Sequence, residues 1–184
     1  MESNDVQPDE VVRTFRHGPS NPVVFADGPG TTVATVIRAA PPAVWAAVID
    51  LDMPARFSDE YLGGEWTGDG PALGASFVGR NRNEFMGEWR LESFVDVYEE
   101  GRTFGWATSN LADPGARWRF HLEPDGEHTL LRFEVTIGPG MSGLTMAIAS
   151  MPDREERIIH RRIDGLNANM RRTVEGIKAT LESA

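Results

Sequence analysis

Apolar and polar residues alternate with a period of two through most of this chain, and a period of 3.6 replaces it near the carboxyl end. "TTVATVIRAA" (31–40) is rich in β-branched residues and puts Val33, Thr35 and Ile37 on one side, which predicts a strand. "PPAVWAAVIDLD" follows: Pro41 and Pro42 suit a first helical turn, and Val44, Trp45, Val48 and Ile49 share one helical face. A second short helix is expected over "MPARFSD". From Glu65 to Ile137 the breaks "TGDGPALG", "RNEFMG", "YEEGR", "NLADPGA" and "EPDGEH" mark out six strands, near 62–67, 74–82, 87–97, 102–109, 116–123 and 129–137. Short turns between successive strands imply antiparallel neighbours. After "GPGMSGL" comes a long helical segment with a break expected at Pro152. Its second part carries one apolar stripe: Ile159, Ile163, Leu166, Met170, Val174, Ile177 and Leu181.

This order predicts an α+β domain over 31–184: a curved, seven-stranded antiparallel sheet, two short helices, and one long C-terminal helix that encloses a cavity against the sheet. Residues 1–30, rich in Asp, Glu, Pro and Gly, read as a flexible acidic lead-in, with "VVRTF" (11–15) able to add an edge strand. Gly165 and Gly176 each cost the long helix roughly 1 kcal/mol relative to alanine, and close approach to the sheet is one reason to keep them.

Alternation also sorts side chains into inner and outer faces. In "FVGRNRNEFMGEWR" (77–90), Phe77, Gly79 and Asn81 face one way while Val78, Arg80 and Arg82 face the other. On the next strand Trp89, Leu91, Ser93, Val95 and Val97 share the inner face. The arginines therefore point outward, in a ladder with Glu88 and Glu92 worth about 0.2–1 kcal/mol per cross-strand pair. Further along, Phe104, Trp106 and Thr108, then Trp118, Phe120 and Leu122, then Leu131, Phe133 and Val135 point inward. With Ile163 and Met170 of the long helix these form either a filled core or the flat walls of a chamber for a planar, greasy molecule. Asn81, Ser93, Thr108 and Asn167 are the inward polar groups, available for structural pairing or for orienting a ligand. The residues set out as ligand-binding candidates are Phe77, Asn81, Trp89, Trp106, Thr108, Trp118, Phe120, Asn167 and Met170. No carboxylate, histidine or lysine falls on the inner face, so no catalytic acid or base is named.

Composition narrows the partners. A net charge of −10 disfavours nucleic acid and anionic membrane surfaces. The chain has no cysteine, and His17, His121, His128 and His160 lie too far apart in sequence for a ligand motif, so neither metal nor cofactor is expected. No apolar run approaches the ~20 residues that span a bilayer, and "MESNDVQPDE" lacks the character of a signal peptide. The expectation is a cytoplasmic protein without stable membrane insertion, monomeric or homodimeric, whose partner is a hydrophobic small molecule.

Two stretches carry a resemblance to a known group. "AAPPAVWAAVIDLDMPARFSD" and "LGASFVGRNRNEFMGEWRLESFVDVYEEGRTFGWAT" resemble the polyketide cyclase/dehydrase and lipid-transport family of the START-like (SRPBCC) superfamily, whose helix-grip fold is shared with the birch-pollen allergen. "ARWRFHLEPDGEHTLLRFEV" and "GLNANMRRTVEGIKATLE" continue the pattern, so the resemblance spans roughly 31–182. It departs at Phe57, where many relatives carry Trp. The resemblance implies a bacterial protein that binds or transports a hydrophobic molecule such as a lipid, polyketide or isoprenoid. It implies, as the alternative, a cofactor-independent polyketide aromatase/cyclase or dehydratase.

Overall fold

The computed structural model describes residues 11–16 and 18–183. Residues 1–10, His17 and Ala184 lie outside it, and with them the first third of the expected lead-in. Eight strands form one antiparallel sheet: β1 (Val12–Arg16), β2 (Gly30–Ile37), β3 (Tyr61–Trp66), β4 (Ser76–Asn83), β5 (Gly87–Glu99), β6 (Thr103–Thr108), β7 (Ala116–Asp125) and β8 (His128–Ile137). Their spatial order is β1-β2-β8-β7-β6-β5-β4-β3. Three helices complete the fold: α1 (Pro41–Val48), α2 (Gly143–Ser150) and α3 (Glu155–Glu182). Single 3-10 turns lie at Pro54–Arg56, where the second short helix was expected, and at Pro152–Arg154, where the long helical segment breaks.

The sheet has one strand more than the seven expected. "VRTFR" pairs antiparallel with β2, Phe15 opposite Thr31, and makes the outer edge. A boundary at residue 30 therefore does not follow the packing, because β1 belongs to the sheet and Val23 is buried in the core.

Each hairpin closes where turn chemistry places it. Between β4 and β5, the Asn83 side-chain oxygen accepts from the backbone N–H groups of Phe85 (3.0 Å) and Met86 (2.8 Å). Gly87, at φ 68°, then opens β5. The register puts Arg82 opposite Glu88, as the alternation implies, and Arg80 opposite Arg90. The charge ladder itself does not form. Among the described residues none of Arg80, Arg82 and Arg90 makes an ion pair with Glu88 or Glu92, and Arg80 donates instead to the Leu62 carbonyl (3.3 Å). The ion-pair network of the outer face lies further along, where Arg117 (2.5 Å) and Arg119 (2.8 Å) converge on Asp96.

The predicted apolar stripe of α3 faces the sheet. Ile159, Ile163, Leu166, Met170, Val174 and Ile177 are buried, and Leu181 packs partly buried at the far end. Both ends of the helix are pinned. The Glu155 carboxylate accepts from the Phe25 N–H (2.7 Å), and Lys178 donates to the Val36 carbonyl (2.6 Å). α1 tucks Val44, Trp45, Ala47 and Val48 under the sheet's other end.

The two helix glycines differ, and neither touches the sheet. A methyl at Gly176 would meet ring atoms of Phe57 at 2.3 Å, so this glycine seats the 54–57 turn. A methyl at Gly165 would meet nothing within 4 Å. Gly165→Ala is therefore expected to stabilise the protein by about 0.5–1 kcal/mol through helix propensity. Gly176→Ala is expected to destabilise it by about 1–3 kcal/mol, because the ring must move. Urea denaturation of both variants checks this; shifts of the same sign would contradict the packing described.

Candidate functional site

Sheet and α3 do not meet along their whole length. Where the sheet curls away under β3–β7, a cavity of about 890 Å³ remains, roofed by α2 and the loop before it. Its wall is built from alternate strand residues, as the period of two requires. Phe77, Asn81, Trp89, Trp106, Thr108, Trp118, Phe120 and Met170 all line it, joined by Leu91, Ser93, Phe104 and Phe133. Trp106 stacks on Trp118 at 6.1 Å and 9°, and Phe120 on Phe133 at 4.0 Å and 12°. The half-buried indoles of Trp89, Trp106 and Trp118 turn toward this space. Such flat, rigid walls suit an apolar ligand with aromatic or fused-ring surface.

The ninth candidate, Asn167, does not reach the cavity. Its amide donates to the Thr31 hydroxyl (2.7 Å), which in turn donates to the Thr14 carbonyl (2.9 Å). This buried relay ties α3 to β2 and β1, so Asn167 pairs with protein and is removed from the ligand set. Thr108 is at the wall, yet its hydroxyl is engaged by the backbone of Ala116, accepting from the N–H (2.9 Å) and donating to the carbonyl (3.3 Å).

The cavity also has a polar end. Asp50, Glu60, Tyr61, Glu84, Arg161 and Arg162 contribute to its lining, so carboxylates reach the cavity from the loops although, among the described residues, none stands on the inner face of a strand. Glu60 and Arg162 form a two-pronged ion pair, at 2.6 and 2.7 Å, that clamps the start of β3 to α3. Tyr61 opens β3 directly opposite Asn81, which is in turn opposite Trp89, so the three form a row across β3, β4 and β5. The Tyr61 ring lies in a glycine-floored notch. A methyl on Gly64 would sit 2.6 Å from its hydroxyl, and one on Gly79 would sit 3.2 Å from its ring. Burial, reinforced by the nearby Asp52 carboxylate, pushes the Tyr61 phenol well above its ordinary value. At neutral pH it is therefore a hydrogen-bond donor and not an anion. The signal for this group in sequence is the "EYLGG" run: an aromatic beside two glycines, on a strand facing a third, has room to lie flat.

At the mouth the β4–β5 turn meets the helical side. The Arg161 guanidinium lies 5.1 Å over the Phe85 ring, and Met86 packs against Gly143 at the start of α2. Phe85, Met141, Met146 and Met151 are exposed around this rim. Among the described residues no group of three or more His, Cys, Asp or Glu side chains is placed to hold a metal ion. No helix among them is long and apolar enough to cross a membrane.

Comparison with solved structures returns the same architecture. The Polyketide_cyc-like protein Cgl2372 from Corynebacterium glutamicum is 27% identical, with 83% of this chain and 91% of that one covered and a TM-score of 0.61. The di-domain ARO/CYC StfQ from the steffimycin biosynthetic pathway is 15% identical, covering 84% of this chain and 51% of that one, at a TM-score of 0.64. Ara h 8.0201 is 10% identical, covering 84% and 98%, at 0.54. The last two, below a quarter identity, speak to the fold alone, and it is the helix-grip fold. No curated protein matches the sequence. The model of the family described as polyketide cyclase/dehydrase and lipid transport matches residues 29–182, which include every strand of the cavity wall and all three helices, and the chain belongs to that family.

Proposed function

We propose that this protein binds a hydrophobic small molecule in the cavity between the sheet and α3. The observation that carries the reading is the continuous aromatic wall formed by Trp89, Trp106, Trp118, Phe104, Phe120 and Phe133 around a space of about 890 Å³. A core that existed only for stability would close on itself, because unfilled volume costs free energy in proportion to its size. A lipid, a polyketide or an isoprenoid has the apolar surface to fill this space, and family membership supports that range. The neutral dye N-phenyl-1-naphthylamine tests the reading: its fluorescence is expected to rise and saturate at one dye per chain. A linear, non-saturating response would count against a cavity that accepts ligands.

A second reading, cyclisation or dehydration of a polyketide, is supported by the phenol of Tyr61 and the amide of Asn81 at one end of the same cavity. Both can hydrogen-bond to a carbonyl whose neighbouring carbon reacts. Turnover of a poly-β-ketone mimic, lost in Asn81→Ala while the fold survives, would favour it. An unchanged product profile with and without the protein would remove it.

A further inference from the structure

Polar groups that face an apolar cavity cost free energy unless something pairs with them. Several of those described above are already paired, Thr108 with Ala116 and Glu60 with Arg162 among them. Two are not. Among the described residues neither the Tyr61 hydroxyl nor the Asn81 amide hydrogen-bonds to the protein, and only the Tyr61 backbone N–H does, to the Ser58 hydroxyl. They are direct cross-strand partners, which places their Cβ atoms about 4.5–5.5 Å apart on one face. Both side chains come close to the empty position over Gly79, the Tyr61 ring edge at 3.2 Å and the Asn81 nitrogen at 3.6 Å from where a Cβ would stand. Trp89 continues the same row.

We propose that the Tyr61–Asn81 notch is the head-group subsite of the cavity. It selects ligands with an uncharged oxygen acceptor, a ketone, ester or amide carbonyl next to an apolar ring system, over the corresponding carboxylate. This inference rests on the binding reading above. The chemistry is set by what each group offers. A protonated phenol gives one donor and the amide gives two, while a carbonyl oxygen has two lone pairs to receive them. Trp89, next in the row, supplies a flat surface for the atoms attached to that carbonyl.

The charges around the cavity account for the exclusion of an acid. Asp50, Glu60 and Glu84 line it on the negative side, and Arg161 and Arg162 on the positive side. Arg162 is held by both oxygens of Glu60, and Arg161 lies over the Phe85 ring. Beyond burial, Asp52 and, more weakly, Asp50 raise the pKa of the Tyr61 phenol, whereas Arg80, which donates to the Leu62 carbonyl (3.3 Å), acts on it in the opposite sense. A ligand carboxylate at the notch would lose its water among acidic neighbours, with both cations that line the cavity engaged elsewhere.

Three naphthalenes of similar shape test the proposal by displacing N-phenyl-1-naphthylamine: 2-acetylnaphthalene, 2-ethylnaphthalene and 2-naphthoate. In the wild-type protein the ketone is expected to bind at least tenfold more tightly than the carboxylate. Tyr61→Phe and Asn81→Leu are each expected to weaken the ketone by about tenfold and to leave 2-ethylnaphthalene unchanged. The unchanged hydrocarbon affinity also shows that each variant keeps its cavity. Equal affinity for ketone and carboxylate would overturn the proposal, as would variants that shift ketone and hydrocarbon alike or shift neither. If the dye and all three naphthalenes fail to bind, the binding reading itself falls. If the hydrocarbon binds and the variants leave the ketone unaffected, only the assignment of the notch falls.

Discussion

Truncating Phe120 to alanine is expected to lower the unfolding free energy by about 3–5 kcal/mol, the largest loss among single substitutions considered for this chain. Phe120 is fully buried at 0% exposure. Its ring stacks on Phe133 at 4.0 Å and lies 6.1 Å from Trp106, so it supports the cavity wall from within the sheet. The neighbours belong to paired central strands and cannot collapse into the gap without breaking register. Chemical denaturation at constant m-value measures the effect. A loss under 1 kcal/mol would mean that the wall relaxes freely, and the rigid chamber described here would not exist.

Replacing Trp106 with alanine is expected to act on binding more than on fold. Trp106 stands at the centre of the aromatic surface, within 6.4 Å, ring centre to ring centre, of Phe77, Phe104, Trp118, Phe120 and Phe133. It is only partly buried, because one side of the indole meets the cavity. Removing that side takes away a flat contact worth about 1–3 kcal/mol, so a planar apolar ligand such as N-phenyl-1-naphthylamine is expected to bind 10- to 100-fold more weakly. Dye titration of the refolded variant reads this directly. Unchanged affinity would place the dye somewhere other than against this wall.

Much of this architecture is legible in the sequence because its elements obey one period at a time. The strands from β4 to β8 largely alternate, and the apolar stripe of α3 recurs at steps of three and four, so most of their inner residues follow from spacing. Val97 does not, because a bulge between Val95 and Val97 shifts β5 and turns Tyr98 inward onto Trp45 and Phe104 instead. β1 is harder to read. "VRTFR" is a short, polar edge strand that stands apart from the alternating run, and only its pairing with β2 makes it part of the sheet. The ladder of arginines and glutamates shows the limit of register arguments. Alternation places Arg82 opposite Glu88, but long solvated side chains gain little by holding an ion pair, and here they do not form one.

The cavity lining was legible in its apolar part and only partly in its polar part, for a physical reason. Large inner residues announce themselves by period, and eight of the nine candidates line the cavity. Asn167 flanks the helical stripe, and whether such a residue turns to the cavity or to β2 depends on helix rotation, which a stripe fixes only to within about one residue. Tyr61 and Glu60 sit where the loop after α1 enters β3, and their direction depends on the path of that loop. The irregular step between Tyr61 and Gly64, with Gly63 at φ 111°, then breaks the alternation that would have revealed them.

Everything proposed for function depends on a small molecule entering between the sheet and α3. The most direct measurement is an isotope-filtered NMR experiment on the protein saturated with N-phenyl-1-naphthylamine, read for through-space contacts between dye protons and assigned side chains. The result expected is a set of contacts to the indole protons of Trp106 and Trp118 and to the Met170 methyl group. Contacts confined to the exposed Phe85 and Met141 at the rim, with none to those three interior groups, would contradict the account.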